Sequence, residues 1–410
     1  MRKSLTLLSA FRCSLCHFTS LSTSGQIMSS SNLPRAAFAR NGNVSIENLP
    51  QLPTPGPGEL RLRIAWSGVN RADTLQRRGN YAPPLGASQV LGLEAAGVIE
   101  EVGEGVSPSL GIGSRAMALL GGGGNAGAVI VRSDHCISVP ANVSLRTAAA
   151  IPENWLTAFQ LLFVVAAGDV DANLPAVSKL GTGVGPCQAG ATIVIHAAAS
   201  GVGTAAVQLA VAAGARVIAI VGSEEKMIAV KALGATECVN YKEDSSTFPA
   251  RLKEAVGASG AALILDPVGA SFANANLDVI ATDGVWVLYG GLGGMRLVTD
   301  GAPGVADALF GQLLRKRATL TATTLRNRSD AYKARLVSRF ATEVLPLLTD
   351  SRLSVIIDSE FDLEDLAAAH AKMESNVTLG KILVRIDSSI CDCSLNGGRA
   401  IIDSEIANPS

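Results

Sequence analysis

The stretch Ala197–Gly203 is built of small residues and sits between two segments of different character. Before it, Thr192–His196 is rich in β-branched residues and reads as a buried strand. After it, Thr204–Ala213 carries helix formers with an apolar stripe, Gly214 ends the helix, and Arg216–Val221 reads as a second strand. A small-residue turn at a helix N-terminus binds anions, because unpaired N–H groups and the helix dipole meet a phosphate there and a Cβ would push it away. Gly201 and Gly203 are present, while Ala198 and Ser200 stand where a G-x-G-x-x-G loop has its first two glycines. Strand, tight turn, helix and strand make a βαβ unit that holds a dinucleotide, and an ordinary helix-packing turn is the alternative.

The end of the second strand selects the dinucleotide. A carboxylate there binds a ribose 2′-hydroxyl and repels a 2′-phosphate. This sequence has Val221, Gly222, Ser223 and then Lys226. A hydroxyl and an ammonium suit a 2′-phosphate, so NADPH is expected rather than NADH. Glu224 and Glu225 are expected to face outward on the next helix. The alternative for Lys226 is a solvated surface lysine.

The surrounding elements must position this loop. From Glu224 to Leu288 the chain alternates: helix 224–233, strand 238–241, helix 248–256, strand 262–266, helix 272–281 and strand 285–288. That alternation predicts a doubly wound parallel sheet, hence an α/β fold. Upstream, Leu60–Val69 alternates as a strand, and glycines recur among β-type residues from Leu91 to Val106. These predict a small, tightly turned barrel, with further strands at Ala128–Val131 and Ile137–Val139. Downstream, Tyr332–Leu348 and Leu363–Glu374 read as helices, with strands near Ser354–Ile357 and Ile382–Arg385. Residues 168–190 read as a surface insertion, and the chain after Asp387 as disordered.

Composition narrows the classes of function. A chain of 410 residues has room for two domains, and its net charge of −1 gives no electrostatic case for nucleic acid or an anionic membrane. The apolar run Leu209–Val221 is too short and too punctuated to span a bilayer. The 7 cysteines are scattered, which suits a reducing compartment rather than a disulfide framework. Cys136, Cys187, Cys238, His196 and His370 are read as ordinary packing residues. Residues 1–46 contain no acid, and they hold Arg2, Lys3, Arg12, Arg35 and Arg40 among many Ser and Thr. That composition suits a mitochondrial presequence, assigned to residues 1–32, with a cytosolic start at Met28 as the alternative. Cys13-Ser14-Leu15-Cys16-His17 spells a haem-attachment string within that segment, and no haem is expected.

Specific strings then carry a resemblance. They are Asn70-Arg71-Ala72-Asp73, Leu91-Gly92-Leu93-Glu94-Ala95, the run Ala116–Leu120, Ala150-Ile151-Pro152-Glu153, the run Trp155–Leu162, Ser200–Leu209, Asn240-Tyr241-Lys242, Trp286–Gly290 and Gly380-Lys381-Ile382. The sequence resembles the medium-chain dehydrogenase/reductase superfamily in its zinc-independent quinone oxidoreductase (zeta-crystallin-like) branch, from about Pro53 to Asp387. The resemblance implies a GroES-like β-barrel-type catalytic domain (33–153 and 319–387) and a Rossmann NADPH-binding domain (154–318), with a tail at 388–410. Where zinc-dependent relatives carry a metal-binding histidine, this chain has Leu93, which cannot ligate zinc, so no metal is expected.

The same resemblance assigns the site. Asn70, Asp73 and Tyr81 would face the nicotinamide and acceptor, with Thr157 near the nicotinamide. Ser200, Gly201, Val202 and Gly203 would cradle the pyrophosphate. Gly222, Ser223, Lys226 and Tyr241 would hold the 2′-phosphate. Leu288, Tyr289 and Gly290 would lie under the nicotinamide, with Arg326 and Lys381 as further contacts. Tyr81 or water would supply a proton, and Asp73 would serve either the chemistry or a helix cap. Gly127 and Ala128, replacing larger residues, would widen the cleft. The implied activity is hydride transfer from NADPH to a small quinone. Reduction of an enone, alkenal or enoyl thioester is the alternative, and an RNA-binding or regulatory role is a third. A homodimer joined at the Val285–Leu288 edge is the implied assembly.

Overall fold

The structure, a computed structural model, describes residues 34–173, 179–183, 185–297 and 305–390. Its first strands are β1 (Arg35–Arg40), β2 (Asn43–Asn48), β3 (Glu59–Val69), β4 (Glu94–Val102), β5 (Arg115–Leu119), β6 (Ala128–Arg132) and β7 (Cys136–Ser138). Alternation along β3 buries Leu60, Leu62 and Ile64, as period 2 requires. β3 is the spine of this region, because it pairs antiparallel with both β4 and β6. Gly97 opposes it because a Cβ there would meet the Arg63 carbonyl oxygen at 1.8 Å.

The second region holds β8 (Thr192–Ile195), β9 (Arg216–Val221), β10 (Glu237–Asn240), β11 (Ala261–Asp266), β12 (Ile280–Leu288) and β13 (Thr319–Ala322). Their order is β10-β9-β8-β11-β12-β13, and every pairing is parallel. The expected doubly wound sheet is present, with its order reversing between β8 and β11. The chain then returns to the first region through β14 (Ile357–Asp362) and β15 (Lys381–Arg385), and β15 pairs antiparallel with β3. One core cluster runs through both regions, joining Ala65 and Met117 of the first to Ile193, Phe159 and Phe340.

Several expectations need correction. β13 extends the parallel sheet past residue 318, the expected end of that domain. Val285–Leu288 is therefore not an edge, because β11 flanks it on one side and β13 on the other. The expected strand at Ser354–Ile357 starts only at Ile357, since Val355 and Ile356 enter the core before pairing begins. The helix over Tyr332–Leu348 is two helices, Asp330–Glu343 and Leu345–Thr349. The acid-free composition of residues 1–46 overruns into a folded hairpin, β1–β2, whose Ala37 bonds Leu91 and Asn125 through the backbone. Gly127 does not widen a cleft, because Pro34 fills the space beside it and a Cβ would come within 2.6 Å. The insertion is not confined to the surface, since Ala172, Leu180 and Cys187 are buried in the main core. In the tail, Ser389 is held by Arg63. Residues 1–32, the haem-like string and the tail from 391 lie outside the described residues.

Candidate active site

Ser200 organises the small-residue loop. Its hydroxyl accepts from the Gly203 N–H at 3.0 Å and caps the helix Gly201–Ala212, which so begins three residues before the expected Thr204. Gly201 is required by a close approach, because a Cβ would meet the Asn154 amide nitrogen at 2.2 Å. Gly203 packs against the turn entering the loop, where a Cβ would meet the Ala197 oxygen at 2.3 Å. Val202 is half-buried against the main core. The loop is stitched to the start of β15 by a hydrogen bond from the Gly380 N–H to the Ala199 oxygen, 2.8 Å.

At the end of β9, Ser223 caps the helix Glu224–Ala232 and accepts from the Lys226 N–H at 3.4 Å. Gly222 lies against the Tyr241 ring, 3.1 Å from where its Cβ would stand. Burial and the neighbouring Lys242 push the Lys226 ammonium down from its usual range. Its Nζ donates to the Asn376 oxygen at 2.8 Å, so Lys226 is tethered rather than freely solvated. Glu225 is exposed as expected, but it also hydrogen-bonds the Ser223 hydroxyl.

The barrel side of the cleft contains a buried polar cluster. Lys381 and Glu94 form an ion pair with both side chains buried. Asn70 bridges them: its Oδ1 accepts from Lys381 Nζ at 2.6 Å, and its Nδ2 donates to Glu94 Oε1 at 2.9 Å. Gly68 leaves the passage open, since a Cβ there would come within 2.5 Å of both Glu94 Oε1 and Lys381 Cε. Asp73 is wholly buried and accepts from the Asn70 N–H (2.7 Å) and the Gly92 N–H (3.0 Å). Burial pushes its carboxyl up to about 6, against the pull of those two bonds. These contacts make Asp73 a helix-start and turn anchor, the second of the two roles expected for it. The cluster does not fit a zinc ion, because Leu93 has no lone pair to offer, Asn70 is taken on both atoms, and an ammonium occupies the centre.

Tyr81 and Arg326 stand beside this cluster, with Asp73 and Glu153 within charge range of the Arg326 guanidinium. The Arg326 guanidinium lies 5.4 Å from the Tyr81 ring centroid. It is held by the Gly121 oxygen (2.9 and 2.7 Å) and Gln76 Oε1 (2.7 Å), while its Nη1 is buried without a partner. Burial raises the Tyr81 hydroxyl, and Thr324 is its hydrogen-bond partner. Thr157 is buried on the helix Pro152–Gln160. On the parallel-sheet side, Leu288, Tyr289 and Gly290 close the end of β12. The Tyr289 N–H donates to the Asp266 oxygen at 2.9 Å, and burial drives the Tyr289 hydroxyl well above its usual range. His196 and His370 are fully buried and Cys136 and Cys187 lie in the core, as expected of packing residues.

Two acids carry more of the site than the sequence indicates. Glu94 orients Asn70 and Lys381, and its Oε2 accepts from the Glu153 N–H at 2.9 Å. Glu153 is partly exposed as a residue, yet its own Oε2 is buried and accepts no hydrogen bond. Burial first, then repulsion from Glu94, push its carboxyl up to about 8. The available signal is an acid set in an apolar context, Leu93-Glu94-Ala95 and Pro152-Glu153.

Comparison with known proteins agrees with this architecture. Residues 56–141 match the alcohol dehydrogenase GroES-like domain, and residues 201–342 match the family described as zinc-binding dehydrogenase. The quinone oxidoreductase of Salmonella typhimurium is 30% identical over 355 residues, spanning 85% of this chain and 98% of the relative. The human synaptic vesicle membrane protein VAT-1 homolog is 28% identical over 360 residues, spanning 85% and 84%. The structure of Escherichia coli quinone oxidoreductase complexed with NADPH aligns with a TM-score of 0.69 at 26% identity, covering 86% of this chain and 99% of that one. With a GroES-like barrel, a doubly wound sheet in the order described and a quinone oxidoreductase aligned over nearly its whole length, the chain belongs to the medium-chain dehydrogenase/reductase superfamily.

Proposed function

We propose that the protein is an NADPH-dependent reductase that passes a hydride to a small quinone without a metal. The observation that carries this reading is the Gly380–Ala199 hydrogen bond, which ties an anion-binding loop to a donor-rich wall that does not suit zinc. When bound, NADPH supplies the hydride.

The residues divide the remaining work. Ser200, Gly201, Val202 and Gly203 present a helix N-terminus to the pyrophosphate. Ser223, Lys226 and Tyr241, with Lys242 close by, form a cationic corner that suits a 2′-phosphate and would have to release Lys226 from Asn376. Thr157, Leu288, Tyr289 and Gly290 bound the nicotinamide end. The Lys381–Asn70–Glu94 cluster, braced by Asp73, fixes the floor. Tyr81 and Arg326 offer donors to the acceptor's oxygen. A quinone accepts a hydride readily, so alignment is the main demand on the protein. The quinone oxidoreductase relatives support this acceptor class.

The test is a paired titration with NADPH and NADH, followed by panels of quinones and enals. Tighter NADPH binding with oxidation on adding quinone is the expected result, whereas consumption by enals alone transfers the activity to the alternative class. For assembly, β13 is an edge among the described residues, with Leu320 half-exposed and Phe310 and Leu314 exposed on the preceding helix. A homodimer joined there is expected, and a monomer by light scattering would count against it.

A further inference from the structure

Two carboxyl groups meet where β4 approaches the start of the helix Pro152–Gln160, and the fold treats them differently. Glu94 has a cation and two further donors, Lys381, the Asn70 amide and the Glu153 N–H. Glu153 has no ion-pair partner among the described residues, and its Oε2 is buried without a hydrogen bond. Around it stand Glu94, Asp73, Lys381, Arg326, Tyr81 and Lys333. Arg326 Nη1, beside the Tyr81 ring, is a buried donor without a partner. Buried polar atoms in folded proteins are almost always paired. An unpaired acceptor and an unpaired donor within charge range of each other therefore point to a ligand atom. A carbonyl oxygen would satisfy Arg326 Nη1, and a neutral carboxylic acid beside it would have a proton to give.

We propose that Glu153 is the proton source of the reduction: it enters the cycle as a neutral acid and resupplies Tyr81, which protonates the acceptor's oxygen while Arg326 Nη1 holds that oxygen. This rests on the reductase reading above. As a hydride forms a C–H bond at a carbon conjugated with the acceptor's carbonyl, the displaced π pair moves onto the acceptor's oxygen. A new O–H bond forms there with the Tyr81 proton. The Tyr81 oxygen then takes the Glu153 proton, and the Glu153 carboxylate regains one from solvent. In total, the acceptor gains the hydride that bound NADPH would supply and one proton, which solvent replaces through Glu153 and Tyr81. A carboxyl raised to about 8 keeps its proton at neutral pH and loses it only above that range.

The experiment compares wild type with Glu153→Gln, which keeps size and hydrogen bonding but carries no acidic proton. Glu153→Gln is expected to lower kcat about tenfold to a hundredfold. NADPH affinity and KM should be unchanged, and the fall of wild-type kcat above about pH 8 should disappear. Glu153→Asp, which keeps an acid, should retain that fall. Infrared spectroscopy of the wild type without acceptor should show a protonated carboxyl band at pH 7 that titrates near pH 8 and is missing in Glu153→Gln. Wild-type kcat with an unchanged pH profile in Glu153→Gln overturns the proposal, and so does absence of the infrared band at pH 7. If no quinone or enal is reduced by the wild type, the reductase reading fails by itself, and the infrared titration still decides whether Glu153 holds its proton.

Discussion

The two ends of the cleft are built on opposite principles. At the end proposed for the adenosine, Ser223, Lys226 and Lys242 line up from neighbouring strand ends, and the polar contacts are local or reach a backbone oxygen. At the end proposed for the nicotinamide, Lys381, Glu94, Asn70 and Asp73 are buried and hold one another. The first arrangement rests on few contacts and tolerates change. The second fixes geometry and leaves little room for substitution, because each removed partner strands another polar group away from water.

This contrast can be broken first at Lys381. Lys381→Met leaves Glu94 buried without its cation and should destabilise the fold by about 3–5 kcal/mol, read from the urea midpoint. A loss as small as that of a surface pair would mean that Glu94 is not buried as described. Next comes the pH dependence set by Glu153. Its folded carboxyl is raised by burial, so the stability it permits is complete below the unfolded carboxylate range and is lost as pH rises toward about 8. Thermal melts of Glu153→Gln and wild type should coincide near pH 4 and separate in favour of the variant by pH 9. Gly68→Ala inserts a methyl group 2.5 Å from Glu94 and Lys381, and should cost about 1–3 kcal/mol by the same denaturant assay.

The adenosine end should respond in binding rather than folding. Lys226→Ala is expected to weaken NADPH by roughly 1–3 kcal/mol and leave NADH nearly unchanged, measured by fluorescence titration. Equal losses for both nucleotides would remove Lys226 from 2′-phosphate recognition. Ser223→Ala should be the mildest, lowering stability by about 1 kcal/mol through loss of the helix cap.

The local structure of the first end is largely legible in the sequence. Gly201, Gly203, Gly222, Ser223 and Lys226 lie within one stretch of chain, and strand, turn and helix signals are local. Even there the sequence does not show that Asn154 leaves no room for a Cβ at Gly201. The nicotinamide end was legible only as a set of names. Asn70, Asp73 and Lys381 can be picked out by motif, but the motifs give Glu94 and Glu153 no role and leave Asp73 between chemistry and a helix cap. Composition is silent on β1–β2, because a lack of acids says nothing about pairing.

By itself the sequence determined the alternation that makes a parallel sheet, the small-residue turn at Ser200–Gly203 and the missing carboxylate at the end of β9. Each depends on neighbours within a few residues, where periodicity and backbone sterics act. Tertiary structure alone decided which polar groups are buried together. Asn70 and Lys381 are 311 positions apart, and only the pairing of β15 with β3 brings them within hydrogen-bond reach. Burial then sets their chemistry, since the cost of taking a charge out of water depends on everything packed around it.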